Sequence, residues 1–127
     1  MSTSNRVHFD VVGSYLRPAE LKEARARHAA GQITGAQLRS VEDRLIAQLV
    51  RQQKAHGLRY ITDGEYRRSY WHLDFMWGFQ GVEHIELDHG YQFHGEETTH
   101  GSLRLTGRIS GERHPFIQDF LFVKQYE

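Results

Sequence analysis

The stretch AHGLRYITDGE at residues 55–65 carries the pattern that decides the predicted fold. Gly57 is a residue type that commonly ends a helix in the left-handed conformation. Leu58–Thr62 combines apolar, aromatic and β-branched side chains, as a short buried strand does. Asp63, Gly64 and Glu65 follow at once, and their types favour a loop. We therefore predict that a helix ends near Gly57, that a strand covers residues 58–62, and that a loop begins at Asp63.

Two helices are predicted before this stretch. Pro18 suits the first turn of a helix, which should run to about Ala30 and stop at Gly31. Thr34 and Gln37 have the spacing of a capping box, in which each side chain satisfies a free backbone N–H. After Gln37, apolar residues recur at three- and four-residue spacing. This spacing indicates a second amphipathic helix that ends near Gly57.

A first strand is predicted over Val7–Val12, because Val11 and Val12 are adjacent β-branched residues before Gly13 and Ser14. The order strand, helices, strand is that of a βαβ unit. Such a unit joins two parallel strands by a right-handed crossover. The pattern therefore favours an α/β fold.

The second half of the chain gives weaker signals. Residues 70–79 are aromatic-rich and predict a short helix or a packed loop. Residues 82–87 and 91–94 could form a hairpin around Asp88-His89-Gly90. Alternating apolar residues at Leu103, Leu105 and Ile109 indicate a further strand, and a helix is predicted to start near Pro115.

The composition excludes several classes of protein. Sixteen basic and sixteen acidic residues cancel, so neither nucleic acid nor an anionic membrane is an expected partner. No apolar stretch approaches the roughly 20 residues that span a bilayer, and the polar N-terminus lacks a secretory signal. A cytoplasmic protein is the expectation. The chain has no cysteine, so it forms no disulfide and offers no thiolate.

Chemically useful groups follow both predicted strands. In parallel α/β folds, functional groups gather where strands end. Gly13 and Ser14 follow the first strand, and Asp63 and Glu65 flank Gly64 after the second. A hydroxyl and backbone N–H groups could bind the carboxylate of an amino acid, while Glu65 could bind its ammonium group. The alternative is that both segments are ordinary turns.

Longer stretches resemble the cobalamin-independent methionine synthase-like family. The resemblance lies in His8–Pro18, in Gln53–Trp71 and in the later segments Leu105–Ser110 and His114–Phe116. It covers nearly the whole chain, in order. It implies a partial (β/α)8 TIM barrel with about the first three strands and a β-hairpin insertion. Residues 1–127 would then be the N-terminal portion of one barrel domain.

The resemblance also implies a substrate and site residues. The family moves a methyl group from a methylated folate to the sulfur of homocysteine, which gives methionine. By resemblance, Val12, Gly13 and Ser14 match the segment that cradles the homocysteine carboxylate, and Glu65 matches the residue that holds its amino group. Asp63 is included as the neighbouring carboxylate.

The family's catalytic metal is not expected in this chain. The family uses zinc, bound by a histidine, two cysteines and a glutamate from later strands, to deprotonate the thiol. This chain lacks cysteine. His84, His89 and His94 recur every five residues, which fits neither a helix nor a strand face, so we interpret them as surface residues. We predict no metal ligand and no catalytic residue here, and a fragment that is inactive alone.

Two alternatives remain open at this stage. The chain could belong to another zinc-dependent alkyl transferase that acts on a small thiol. It could also be a non-catalytic domain that binds an amino acid or associates with itself. Self-association is expected in either case, because an open three-stranded piece would leave sheet edges unpaired and apolar helix faces uncovered.

Overall fold

The computed structural model describes residues 11–90, 92–94, 96–97 and 100–127. Contacts divide the chain into two compact units: one contains the described residues up to Arg67 together with Leu121–Glu127, and the other contains Arg68–Phe120. The described residues form helices and strands in this order: α1 (Ala19–Ala29), α2 (Gly35–Ala55), α3 (Leu73–Trp77), β1 (Gln80–Glu86), β2 (Gln92–Phe93), β3 (Glu96–Glu97), β4 (Gly101–Ser110) and α4 (Pro115–Lys124).

Helices α1 and α2 begin and end where the sequence predicts. Pro18 directly precedes α1, and Gly31 beyond its end has φ +72°. The capping box at the start of α2 is complete: the Gln37 N–H donates to Thr34 Oγ1 at 3.2 Å, and the Thr34 N–H donates to Gln37 Oε1 at 2.8 Å. Gly57 follows α2 with φ +78°. Local sequence signals therefore fix both helices.

The core of the first unit forms on the apolar stripe of α2. These side chains pack against one residue of α1 and one aromatic ring from beyond α2. The buried members are Leu21, Leu45, Ile46, Leu49, Val50 and Tyr66. Tyr15, Ile61 and Phe122 pack against them and are partly buried. The helices thus supply the platform on which the segments at residues 12–17 and 61–66 rest.

The predicted strand at residues 58–62 is wrong. This segment has no regular structure, and Val11 and Val12 do not form a strand either, while residues 7–10 lie outside the described part of the chain. A strand needs a neighbouring strand to satisfy its backbone groups, and the side-chain amide of Gln53 bonds to both backbone groups of Thr62 instead. The mixed α/β character is confirmed. The barrel, and the placing of residues 1–127 in one domain, stay predictions.

The second unit contains an antiparallel pair whose partners differ from those predicted. β1 pairs with β4, for example through His84 and Leu103, and the residues between them form the short β2–β3 pair. Residue 91 of the predicted hairpin lies outside the residues that the structure describes. The side chain of Trp77 contacts both strands: its ring stacks on His84 with centroids 3.9 Å apart, and its Nε1 donates to the Ser102 carbonyl at 3.0 Å. The tryptophan thereby joins the two strands.

Helix α4 starts at Pro115, as predicted, and His114 caps it. The Phe116 N–H donates to His114 Nδ1 at 3.1 Å, and His114 Nε2 lies 2.8 Å from the Phe75 carbonyl oxygen. Because Nδ1 accepts, Nε2 carries the proton and donates to that carbonyl. A single buried histidine thus links α3 to the start of α4.

Within the described residues, every helix is too short or too polar to cross a membrane.

Candidate functional site

Two loops that carry the predicted site residues lie side by side in the first unit. We call residues 12–17 loop A and residues 62–66 loop B. The Tyr15 N–H donates to the Gly64 carbonyl at 3.2 Å, Arg17 Nη2 donates to the Glu65 carbonyl at 2.9 Å, and the Tyr66 hydroxyl donates to the Leu16 carbonyl at 3.0 Å. Ser14 and Glu65 are each one residue away from the Tyr15–Gly64 hydrogen bond. The two loops therefore meet. Loop B does not follow a strand, and residues 7–10 of the strand predicted before loop A lie outside the described part of the chain.

Loop B is a tight, side-chain-stabilised turn. The Gly64 N–H donates to Thr62 Oγ1 at 3.1 Å, and the Glu65 N–H donates to Asp63 Oδ1 at 2.9 Å. Gly64 and Glu65 have φ values of +67° and +57°, so two consecutive residues are left-handed. The left-handed conformation is unfavourable for a non-glycine residue and recurs at functional sites. Asp63 thus acts on the backbone of Glu65 inside the loop.

Two side chains from the helices hold loop B in place. Gln53, at the end of the apolar stripe of α2, donates from Nε2 to the Thr62 carbonyl at 2.8 Å and accepts from the Thr62 N–H at 3.0 Å. Arg25 of α1 donates to the Tyr66 carbonyl. Both ends of loop B are therefore attached to the helical platform by hydrogen bonds.

Loop A offers exposed groups beside loop B. Gly13 has φ +83°, and a Cβ atom there would meet nothing within 4 Å, so its backbone is open to close approach. Ser14 is exposed, and Val12 is 90% exposed. Backbone N–H groups and a hydroxyl in this setting can bind a carboxylate.

Arg67, directly after loop B, is engaged in a buried ion pair. Its Nη1 donates to Glu42 Oε2 at 3.2 Å, and its Nη2 donates to the carboxylate of Asp43. Burial raises the pKa of Glu42 above its ordinary 4.5, while the charge of Arg67 opposes that rise. The ring of Phe122 lies 5.2 Å from the guanidinium carbon. These contacts give Arg67 a structural role.

Three residues of this site were not among those singled out in the sequence. Arg17 and Tyr66 cross between the loops, and their role depends on contacts 48 and 50 residues apart, which no local pattern encodes. Gln53 did leave a signal: it lies four residues after Leu49, on the apolar face of α2, where a buried polar side chain requires a hydrogen-bonding partner.

The histidines do not assemble into a metal centre within the described residues. No group of three or more histidine, aspartate or glutamate side chains there has the geometry to hold a metal ion. His84 stacks on Trp77 and has Nε2 2.9 Å from Glu86 Oε1. His94 is exposed.

A surface groove of about 380 Å³ runs along α1 and α2. Charged and polar side chains such as Glu20, Arg27 and Gln37 line it. None of the predicted site residues borders this groove, so it is separate from loops A and B.

Three known proteins that are similar to this chain are each much longer than it. YxjH, an uncharacterised protein of Bacillus subtilis, is 44% identical over 116 residues, which are 91% of this chain and 31% of YxjH. The methionine synthase of Sulfurisphaera tokodaii is 29% identical over 120 residues, 90% of this chain and 32% of that protein. A crystal structure from Listeria monocytogenes, described as a candidate vitamin-B12-independent methionine synthase, matches with a TM-score of 0.71 at 42% identity. That match covers 91% of this chain and 31% of the other.

No family profile matches the sequence. The chain spans about a third of the length of the relatives it matches.

Proposed function

Because this chain belongs to the methionine synthase-like family, we propose that loops A and B form the homocysteine-binding part of a cobalamin-independent homocysteine S-methyltransferase. Val12, Gly13 and Ser14 bind the α-carboxylate through backbone N–H groups and the serine hydroxyl. Glu65 binds the α-ammonium group, and Asp63 orients Glu65 through its backbone. The methyl donor would be a methylated folate, bound by parts of the full-length protein beyond these two loops.

The observation that carries the proposal is the meeting of the two loops. The Tyr15–Gly64 hydrogen bond joins residues that are 49 positions apart in sequence and directly adjacent to Ser14 and Glu65. An α-amino acid carries its two charges on groups attached to one carbon atom. A site for it therefore needs a group that binds a carboxylate close to an acidic group, and the hydrogen bonds between loops A and B support such an arrangement.

Zinc does not fit the described residues. A zinc ion that activates a thiol needs at least three protein ligands; the chain has no cysteine, and its described residues contain no group of three suitable side chains. The residues of loops A and B would therefore only bind and orient the amino acid. Zinc is expected in the full-length family enzyme, held by other residues.

Isothermal titration calorimetry with L-methionine and L-homocysteine tests the proposal. Glu65→Gln removes the negative charge while keeping the size of the side chain, and it should weaken binding about tenfold or more, because a hydrogen bond to a charged group is worth about 1.5–3 kcal/mol. Glu112→Gln, on an exposed turn of the other unit, is the matched control and should bind as the wild type does. Equal affinity of the wild type and Glu65→Gln would remove Glu65 from the site.

A second candidate function is self-association through α4. Ile117 and Phe120, which are one turn apart on this helix, are 59% and 61% exposed. Large apolar side chains exposed together are typical of interaction surfaces. Light scattering should then show a mass that rises with concentration, and Phe120→Glu should lower it. A monodisperse monomer at every concentration would exclude this candidate.

A further inference from the structure

We propose that Tyr66 is a positioning residue that sets the spacing between the carboxylate-binding loop A and the ammonium-binding loop B, so that the site selects ligands that carry both charges of an α-amino acid. This inference rests on the proposed function of the two loops. It assigns their joint specificity to a residue that touches neither charge of the ligand.

The ring of Tyr66 packs in the core, and its hydroxyl bonds to loop A. Its ring is 4% exposed and belongs to the core cluster with Leu21 and Leu49. Its hydroxyl extends to loop A and donates to the Leu16 carbonyl at 3.0 Å. Since Tyr66 directly follows Glu65, the residue that fixes the acidic loop to the core also holds the facing loop.

Two large apolar side chains of loop A are exposed. Val12 and Leu16 are 90% and 95% exposed, so neither side chain holds the loop by burial. Tyr15 is partly buried against the core, and its N–H donates to the Gly64 carbonyl. The hydrogen bonds that cross between the loops therefore contribute to the position of loop A relative to Glu65.

The donors of these crossing bonds come from both loops. Arg17 of loop A donates to the Glu65 carbonyl, whereas Tyr66 of loop B donates to the Leu16 carbonyl. Burial also raises the pKa of Tyr66 above its ordinary 10.0, so the hydroxyl keeps its proton near neutral pH and remains a donor. Tyr66→Phe removes this one bond and leaves both the ring packing and the Arg17 bond in place.

A ligand that bridges two loops gains affinity from their fixed spacing, because binding one end holds the other end at its own site. A ligand with only one charged end gains nothing from the spacing. Three probes separate the two cases: L-methionine carries both groups, 3-(methylthio)propylamine lacks the carboxylate, and 4-(methylthio)butanoate lacks the amino group.

Calorimetry of the wild type and Tyr66→Phe with these probes tests the inference. Tyr66→Phe should bind L-methionine about tenfold more weakly, consistent with the loss of one hydrogen bond, while its affinity for each one-ended probe should change by less than about twofold. Denaturation curves of the two proteins show whether the variant is folded.

The outcomes test the spacing role of Tyr66 separately from the proposed amino-acid site. If the wild type binds L-methionine in a Glu65-dependent way but Tyr66→Phe binds all three probes as the wild type does, or all three equally more weakly, Tyr66 has no role in spacing and the inference is wrong. If Glu65→Gln leaves the affinity for L-methionine unchanged, the proposed function itself fails, and the inference fails with it.

Discussion

The side-chain amide of Gln53 hydrogen-bonds to both backbone groups of Thr62, as an adjacent β-strand would. Nε2 donates to the Thr62 carbonyl at 2.8 Å, and Oε1 accepts from the Thr62 N–H at 3.0 Å. Gln53 is 2% exposed, on the face of α2 that buries mainly apolar residues. One polar side chain thereby satisfies the backbone hydrogen-bonding groups of Thr62, the residue at which loop B begins.

Gln53→Leu should lower the free energy of unfolding by about 2 kcal/mol, because it leaves the N–H and carbonyl of Thr62 without their partner. Urea denaturation measures this loss. Gln52→Leu is the matched control, since Gln52 directly precedes Gln53 on the same helix and is exposed. Equal stability of the two variants would show that the amide contributes nothing to holding loop B.

Gly64→Ala should be more destabilising than Gly57→Ala. Both glycines have positive φ, +67° and +78°, so alanine is strained at either position. A Cβ atom on Gly64 would also lie 2.5 Å from Leu49 Cδ2, whereas one on Gly57 would meet nothing within 4 Å. Overpacking of this kind adds about 1–3 kcal/mol.

Thermal and urea unfolding of the two glycine variants give the comparison. A Gly64→Ala protein that is as stable as Gly57→Ala would mean that Leu49 can move aside at no cost. The affinity for L-methionine should fall in Gly64→Ala alone, because only Gly64 lies in loop B.

The stability of the protein should depend on pH through Glu42. Burial raises the pKa of Glu42 in the folded protein above its ordinary 4.5. The Glu42 carboxylate therefore binds a proton more tightly in the folded state than in the unfolded state. Protonation therefore favours folding as the pH falls through the raised pKa toward 4.5. The wild type should gain stability relative to Glu42→Gln over that interval, and the difference should be constant above the raised pKa and below 4.5.

Urea denaturation at a series of pH values measures this difference, with Glu112→Gln as the exposed control. A wild type that loses stability relative to Glu42→Gln as the pH is lowered through this interval would contradict the prediction. Such a result would show that the pairing with Arg67 outweighs the effect of burial.

His114→Ala should destabilise the protein by about 3 kcal/mol, whereas His94→Ala should have little effect. His114 is 6% exposed, caps α4 through Nδ1 and donates to the Phe75 carbonyl through Nε2, so the change removes two hydrogen bonds and a buried ring. His94 is exposed. Chemical denaturation distinguishes them, and similar values for the two variants would disprove the capping role.

The sequence by itself determined the features that depend on neighbouring residues. The start of α2 follows from Thr34 and Gln37 three positions apart, and the breaks after α1 and α2 follow from Gly31 and Gly57, which take the left-handed conformation. Pro115 marks the start of α4 in the same way. Each signal acts within a few residues, where capping and backbone geometry outweigh distant contacts.

Only the tertiary structure decided which distant segments meet. Leu58–Thr62 has the composition of a strand, but Gln53 takes the place of the neighbouring strand. β1 pairs with the distant β4, and Trp77 contacts both of these strands. The sequence predicts a parallel strand before each of loops A and B, and it therefore places the two loops next to each other. In the structure, hydrogen bonds from Tyr15, Arg17 and Tyr66 join the two loops. Hydrogen bonds across 48 to 50 residues depend on the packing of the helices, and no local pattern specifies them.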